Sequence, residues 1–244
     1  MIDIHCHLLP GIDDGAPSAD VSMAMLAMQR KLGVERMFLT PHFYPEDMAQ
    51  EDFLAARAAS WEAFSAGLEE SDKDRIRLGA EVRYCPQLLR LDLQQLTLAD
   101  TSYLLLELPS RQYPPYLVQS VEQLLGRGVL PILAHVERCL YFRKEPALLK
   151  RLVDLGALAQ VSAASLFDRR DKNFAKACLD HKLVQMVASD AHDASRRPPN
   201  LDQCSRLGED SRQLHEAVTE AVWDNELPNY FRPTLVKKTI FGYR

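Results

Sequence analysis

Short apolar runs alternate along this chain with longer stretches of helical period, and most of the runs end on a residue able to bind a metal ion. Such alternation is the mark of repeated βα units around a parallel sheet. The spacing predicts strands over Ile2–His7, Arg36–Pro41, Arg77–Arg83, Tyr103–Leu108, Val129–His135, Ala157–Ser162 and Val184–Asp190. After the first, Val21, Met25, Met28 and Leu32 recur at helical spacing and Gly33 supplies a stop. Further helices are expected over roughly 50–70, 116–127, 146–155, 171–181 and 201–224. Seven strands with helices between them fit an α/β barrel-like sheet ringed by helices, and an open doubly wound sheet is the alternative. No repeat, low-complexity tract or Gly/Ser linker marks a boundary, so residues 1–244 are read as a single domain.

Composition removes several classes. With 34 acidic against 29 basic residues the formal charge is −5, which gives no general attraction to nucleic acid or an anionic membrane surface. An anionic substrate must then be held by local positive charge. The opening Met1–Gly11 has neither the cationic start nor the apolar core of a signal peptide, and no apolar run approaches a membrane span, so a cytoplasmic location is expected. Five widely spaced cysteines, Cys6, Cys85, Cys139, Cys178 and Cys204, suggest neither a disulfide framework nor a thiolate zinc site.

The polar residues at the strand ends carry the chemistry. His5 and His7 end the first strand, His42 follows the second, Glu81 sits in the third and Glu107 in the fourth; His135 ends the fifth, and Asp190 with His192 close the seventh. In a parallel barrel all strand C-termini open on one face, so these residues converge although remote in sequence. Alternation puts His5 and His7 on one side of their strand and Cys6 on the other. A carboxylate inside an apolar run, such as Glu107 after Leu104, Leu105 and Leu106, costs several kcal/mol to bury unpaired, and a metal ion is one partner that offsets this. Imidazole and carboxylate without thiolate suit Mn, Fe, Zn or Co. Together with Asp14 the set has nine members, more than one ion uses, so two or three ions are implied. Three divalent ions would outweigh the four carboxylates and leave a pocket that attracts phosphate.

The pattern His5-Cys6-His7, Gly11-Ile12-Asp13-Asp14-Gly15, Gly79-Ala80-Glu81, Leu106-Glu107, Ala134-His135-Val136-Glu137-Arg138 and Ser189-Asp190-Ala191-His192, followed by Arg197-Pro198-Pro199, resembles the polymerase and histidinol phosphatase (PHP) superfamily. Within it the chain is most similar to bacterial manganese-dependent protein-tyrosine phosphatases encoded with capsule and exopolysaccharide genes. The resemblance implies a distorted (β/α)7 barrel, TIM-like, around three divalent ions, Mn²⁺ first among the metals named above. One ion would take His5, His7, Glu81 and Asp190, a second Glu81, Glu107 and His135, and a third Asp14, His42 and His192. Arg138 and Arg197 fall on the phosphate-clamping positions, and His42 or His192 would be the proton donor if one is used. Ser162-Ala163-Ala164-Ser165 departs from an Asn-containing segment usual in relatives, so no ligand role is given to the sixth strand end.

The implied reaction is hydrolysis of a phosphotyrosine monoester by a metal-bound hydroxide, without a covalent phosphoenzyme. The implied partner is a phosphorylated bacterial tyrosine kinase of polysaccharide export. A small-molecule phosphatase, such as one acting on histidinol phosphate, is the alternative. Cysteine-based phosphatase chemistry requires an arginine six positions after the nucleophile, where this chain has Ile12, Leu91, Glu145, Val184 and Asp210. Tyr113-Pro114-Pro115-Tyr116 is read either as a frame for the pocket mouth or as a loop-shaping element. His181 and His215 are read as surface residues.

Overall fold

The fold comes from a computed structural model, and the residues described are 1–228, 231–239 and 242–243. Strand β1 (Ile2–Cys6) is followed by α1 (Ala19–Lys31), β2 (Arg36–Leu39), β3 (His42–Phe43), α2 (Gln50–Ser65), α3 (Glu70–Lys73), β4 (Ile76–Leu78) and β5 (Glu81–Arg83). The chain continues through β6 (Tyr103–Glu107), α4 (Leu117–Gly126), β7 (Leu130–Leu133), α5 (Leu140–Lys144), α6 (Pro146–Leu155), β8 (Leu158–Ser162), α7 (Lys172–Asp180), β9 (Met186–Ala188) and α8 (Glu209–Trp223). A small antiparallel hairpin, β10 (Lys238–Thr239) with β11 (Gly242–Tyr243), follows.

All pairings outside that hairpin are parallel, in a three-stranded sheet ordered β1-β2-β4 and a six-stranded sheet ordered β3-β5-β6-β7-β8-β9. The strand expected over Arg36–Pro41 is β2 alone, with β3 starting just past its end at His42, and the one expected over Arg77–Arg83 is two strands, β4 and β5. The first stops at Thr40–Pro41, where proline has no N–H to donate, and the second breaks at Gly79–Ala80. A Cβ on Gly79 would stand 2.7 Å from Leu98 Cδ2, so a larger residue at this bend would have to push that side chain aside. Because both strands bend at the same level, the sheet curls, and its far edge returns to the first strand. Asp190 N donates to the His5 carbonyl and His7 N to the Ala191 carbonyl, each at 2.9 Å.

Register determines what each face does, since paired residues share a face. On one face Leu104, Leu106, Leu133, Val161 and Val187 belong to the same core as the inward side chains of the surrounding helices, among them Val121 and Leu124 of α4, Leu149 and Leu152 of α6 and Phe174 of α7. On the other, Tyr103, Leu105, Ile132, Leu158 and Met186 form an apolar cluster near the strand starts, joined by Val218, Val222 and Trp223 of α8. Further along those same strands the second face turns polar, reaching Glu107, Gln160, Ser162 and, just past β9, Asp190. Helix α8 brings one correction. His215 is buried at 2% exposure, because residues 215, 218, 219 and 222 share the helix face that seals the cluster. Its Nδ1 accepts from Val187 N at 3.3 Å.

Candidate metal centre

The first strand is anchored by a carboxylate that points away from the centre it serves. Asp3 is fully buried, and its side chain accepts from His5 N, Ser189 N, Ser189 Oγ and Gln29 Nε2. This network ties β1 to the segment after β9, which carries Asp190 and His192.

His5 and His7 project together, with Nε2 atoms 3.1 Å apart. Each is held from behind. His5 Nδ1 lies 3.3 Å from Gln160 Oε1, His7 Nδ1 2.7 Å from Asp13 Oδ2, and His192 Nδ1 2.9 Å from the Asp190 carbonyl. An Nδ1–H that donates to an oxygen leaves Nε2 as the lone-pair nitrogen. Three imidazoles are therefore turned with their ligating nitrogens inward, the outer-shell arrangement that orients metal-binding histidines.

Glu81, fully buried, is the hub. Its Oε1 is 2.7 Å from His135 Nε2, and its Oε2 lies 2.9 Å from His42 Nδ1, 3.2 Å from His5 Nε2 and 3.4 Å from His7 Nε2. The His42 pair is close but not aligned as a hydrogen bond, and both Glu81 Oε2 and His42 Nδ1 lack a hydrogen-bond partner, as does His192 Nε2. Buried polar atoms that crowd without bonding to one another fit a shared cation between them. Triads His5–His7–Glu81, His7–His42–His192 and His42–Glu81–Glu107 each offer ligand atoms within 4.8 Å of one another. Imidazole and carboxylate donors suit the metals expected from sequence.

The electrostatics agree. Burial alone would raise the Glu81 carboxyl, but His5 and His135 hold it well below the usual range. Asp190 is likewise held down, against its burial, by His5, Arg138, His135 and Arg197. Burial opposes a charged His7, yet its contacts with Asp13 and Glu81 push it up to about 10.

The remaining expected residues take distinct places. Asp14 is exposed, with Oδ1 3.4 Å from Nε2 of both His42 and His192. Glu107 pairs with Arg83 Nε at 3.2 Å. Arg138 and Arg197 both donate to Asp190, and Arg138 also reaches Ser162 Oγ at 3.3 Å. Ser162 Oγ lies 3.2 Å from Asp190 Oδ2, so the sixth strand end touches the centre through a hydroxyl. His135 and Asp190 have φ of 31° and 51°, left-handed conformations that cost free energy in non-glycine residues and concentrate at functional sites. Gly15 is required by space: a Cβ there would stand 2.4 Å from the His7 carbonyl.

Three supporting residues escaped sequence reasoning: Asp13, Gln160 and Asp3. Asp13, beside the expected Asp14, binds His7 and accepts from His42 N at 2.9 Å and Gly15 N at 2.9 Å. Burial would raise its carboxyl, but His7 lowers it to about 2. A buried Gln at the centre of β8 was the available signal for Gln160. All five cysteines are buried thiols, and burial pushes those of Cys139 and Cys204 up to about 12.

Among the described residues no helix is long and apolar enough to cross a membrane. The chain is 34% identical over 203 residues to the tyrosine-protein phosphatase YwqE of Bacillus subtilis, covering 81% of this chain and 79% of that protein. It is 31% identical over 219 residues to the tyrosine-protein phosphatase CpsB of Streptococcus pneumoniae, covering 83% and 87%. Its fold matches a chain from the crystal structures of those two proteins, described as unique metal-dependent tyrosine phosphatases, with a TM-score of 0.81 at 30% identity over 97% of this chain and 100% of that one. Residues 1–226 match the family of capsular polysaccharide synthesis proteins CpsB/CapC, and the chain belongs to that family.

Proposed function

We propose that this protein is a metal-dependent protein-tyrosine phosphatase acting in capsule or exopolysaccharide synthesis, with the curled sheet a distorted (β/α)7 barrel. The carrying observation is the pair His5 and His7, whose Nδ1 atoms are tied back while their Nε2 atoms face Glu81 and each other. Three divalent ions, Mn²⁺ first, would be held by His5, His7, Glu81 and Asp190; by Glu81, Glu107 and His135; and by Asp14, His42 and His192. Bound, they would supply an activated water and neutralise charge on the phosphoryl oxygens.

The chain's own residues do the rest. Arg138 and Arg197, which carry fixed planar donors at the rim, hold the phosphoryl oxygens that face away from the ions. Gln160 and Asp13 keep His5 and His7 in one tautomer, and Asp3 holds the Asp190 segment in place. A tyrosine leaving group has a pKa of about 10 and needs little help from an acid. We therefore assign His42 and His192, which share the Asp14 oxygen, to ligation and not to proton transfer. The substrate in this reading is a phosphorylated tyrosine kinase of polysaccharide export, in the cytoplasm.

The deciding experiment compares phosphotyrosine peptide, phosphoserine peptide and histidinol phosphate, before and after chelation and with Mn²⁺ restored. Turnover of the phosphotyrosine peptide that disappears on chelation and returns with Mn²⁺ is expected. Full turnover in verified metal-free protein, or a preference of orders of magnitude for histidinol phosphate, overturns the assignment.

A further inference from the structure

A cleft of about 820 Å³ opens beside the metal centre, and Glu107, His135 and Arg138 form its inner end. Its outer wall is made by Tyr113, Pro115 and Tyr116 from the loop between β6 and α4, with Tyr84 and Leu108 also lining it. Tyr116 is 65% exposed, an aromatic ring left in solvent at the mouth of a polar site.

The wall is held in register with the arginine. The Ser110 carbonyl accepts from Leu140 N at 2.8 Å, which fastens this loop to the segment just after Arg138. Tyr113 also packs edge-on against Tyr141 and Phe142 of α5, with centroids 5.3 and 6.4 Å away. Tyr84 is fixed from its hydroxyl, 3.0 Å from Ser120 Oγ of α4. Two prolines stiffen the loop between the tyrosines. The cleft, whose lining also includes Glu46, Arg83, Arg111 and Gln112, thus has a preformed aromatic and proline wall continuous with the group that would grip phosphate.

We infer that Tyr113, Pro115 and Tyr116 form an aryl subsite that seats the ring attached to the phosphate, and so set the preference for aromatic over alkyl phosphomonoesters. This rests on the phosphatase reading, since a phosphate held at Arg138 is what aims the ester's organic group along the cleft. A phenyl ring one bond beyond the ester oxygen meets aromatic and proline surface there. A serine methylene in the same position leaves most of that surface in water. Aromatic pairing beyond area burial gives about a tenfold preference.

Phosphonates test this without turnover. Binding of phenylphosphonate and methylphosphonate to the full chain with Mn²⁺ is measured by calorimetry, for the parent, Tyr116→Ala and Tyr113→Leu. Leucine keeps apolar bulk against Tyr141 and Phe142, and Tyr116 is too exposed to be needed for folding. The parent is expected to bind phenylphosphonate about tenfold more tightly, and both variants to lose most of that margin while binding of methylphosphonate stays comparable among the three. The ratio of kcat/KM for phenyl phosphate to that for ethyl phosphate should fall in parallel, because the intrinsic difference in leaving groups cancels between parent and variant. Equal affinity of the parent for both phosphonates, or a margin unchanged in both variants, overturns the subsite while leaving the phosphatase reading intact. Binding of neither phosphonate, with no turnover of any monoester, overturns both.

Discussion

Arg138 and Arg197 close on one carboxylate: Arg197 donates to both oxygens of Asp190 at 3.0 Å, and Arg138 donates to Oδ2. Their chain positions are 59 residues apart, yet the curl of the sheet brings both guanidinium groups to the same rim. Asp190 keeps the Ser162 hydroxyl as a neighbour whichever arginine is removed. Arg197→Ala is expected to lower kcat/KM by about a hundredfold, the effect of losing one preorganised donor to developing charge, while metal content stays at the parent level. Arg138→Ala should behave alike, with Lys restoring part. Elemental analysis beside turnover on a phosphotyrosine peptide checks this, and near-normal kcat/KM in both fully metallated alanine variants would refute the clamp.

Asp13 and Asp14 are neighbours with separable duties. Asp13 is buried against His7 and caps the turn at Gly15, whereas Asp14 faces His42 and His192 from solvent. Asp13→Ala should weaken Mn²⁺ binding by about 10–100-fold and also lower the melting temperature of chelated protein. Asp14→Ala should weaken binding too, but leave the chelated protein's melting temperature unchanged. Thermal scans with and without chelator separate the two.

The thiols should be bystanders. Buried and pushed up in pKa, as at Cys139 and Cys204, they are poor nucleophiles. Iodoacetamide at about pH 7.5, well below those raised values, is expected to leave native turnover intact, with mass spectrometry showing little alkylation until the chain is denatured.

His215 predicts a pH effect on stability. Burial lowers its pKa from 6.5 to about 4, so between those values the unfolded chain takes up a proton that the folded chain refuses. Stability from this group is complete above pH 6.5 and falls as the pH drops toward 4, by about 3 kcal/mol in all. Urea melts of chelated protein from about pH 7.5 to about 4.5, which bracket most of that window, should show a shallower decline in His215→Asn than in the parent. Parallel curves would exclude the effect.

Much of this architecture was legible in the order of residues alone. A run such as Tyr103–Leu108 has room for a carboxylate only if something balances it, and strand alternation already put His5 and His7 on one side. The breaks at Pro41 and Gly79 were harder, because a proline or glycine inside an apolar run signals a bend without saying which neighbouring strand bends with it. Asp13 and Asp14 are indistinguishable by type, and only the turn that Gly15 permits decides which one goes inward. His215 could have been placed, since it shares the i, i+3, i+4, i+7 face with Val218, Thr219 and Val222. The supporting glutamine, Gln160, carries no ligand signature of its own and becomes visible only when β8 stands beside His5 and His135.

The left-handed backbones of His135 and Asp190 give the fold an unequal distribution of comfort. Each costs on the order of 1–3 kcal/mol relative to a relaxed residue, and glycine would remove that cost at either place. A designer selecting variants only for heat resistance would therefore be drawn toward substituting two of the proposed metal ligands. Screens for a hardier version of this protein should hold both residues fixed and look for gains around α8, where the apolar cluster lies at the opposite end of the same strands.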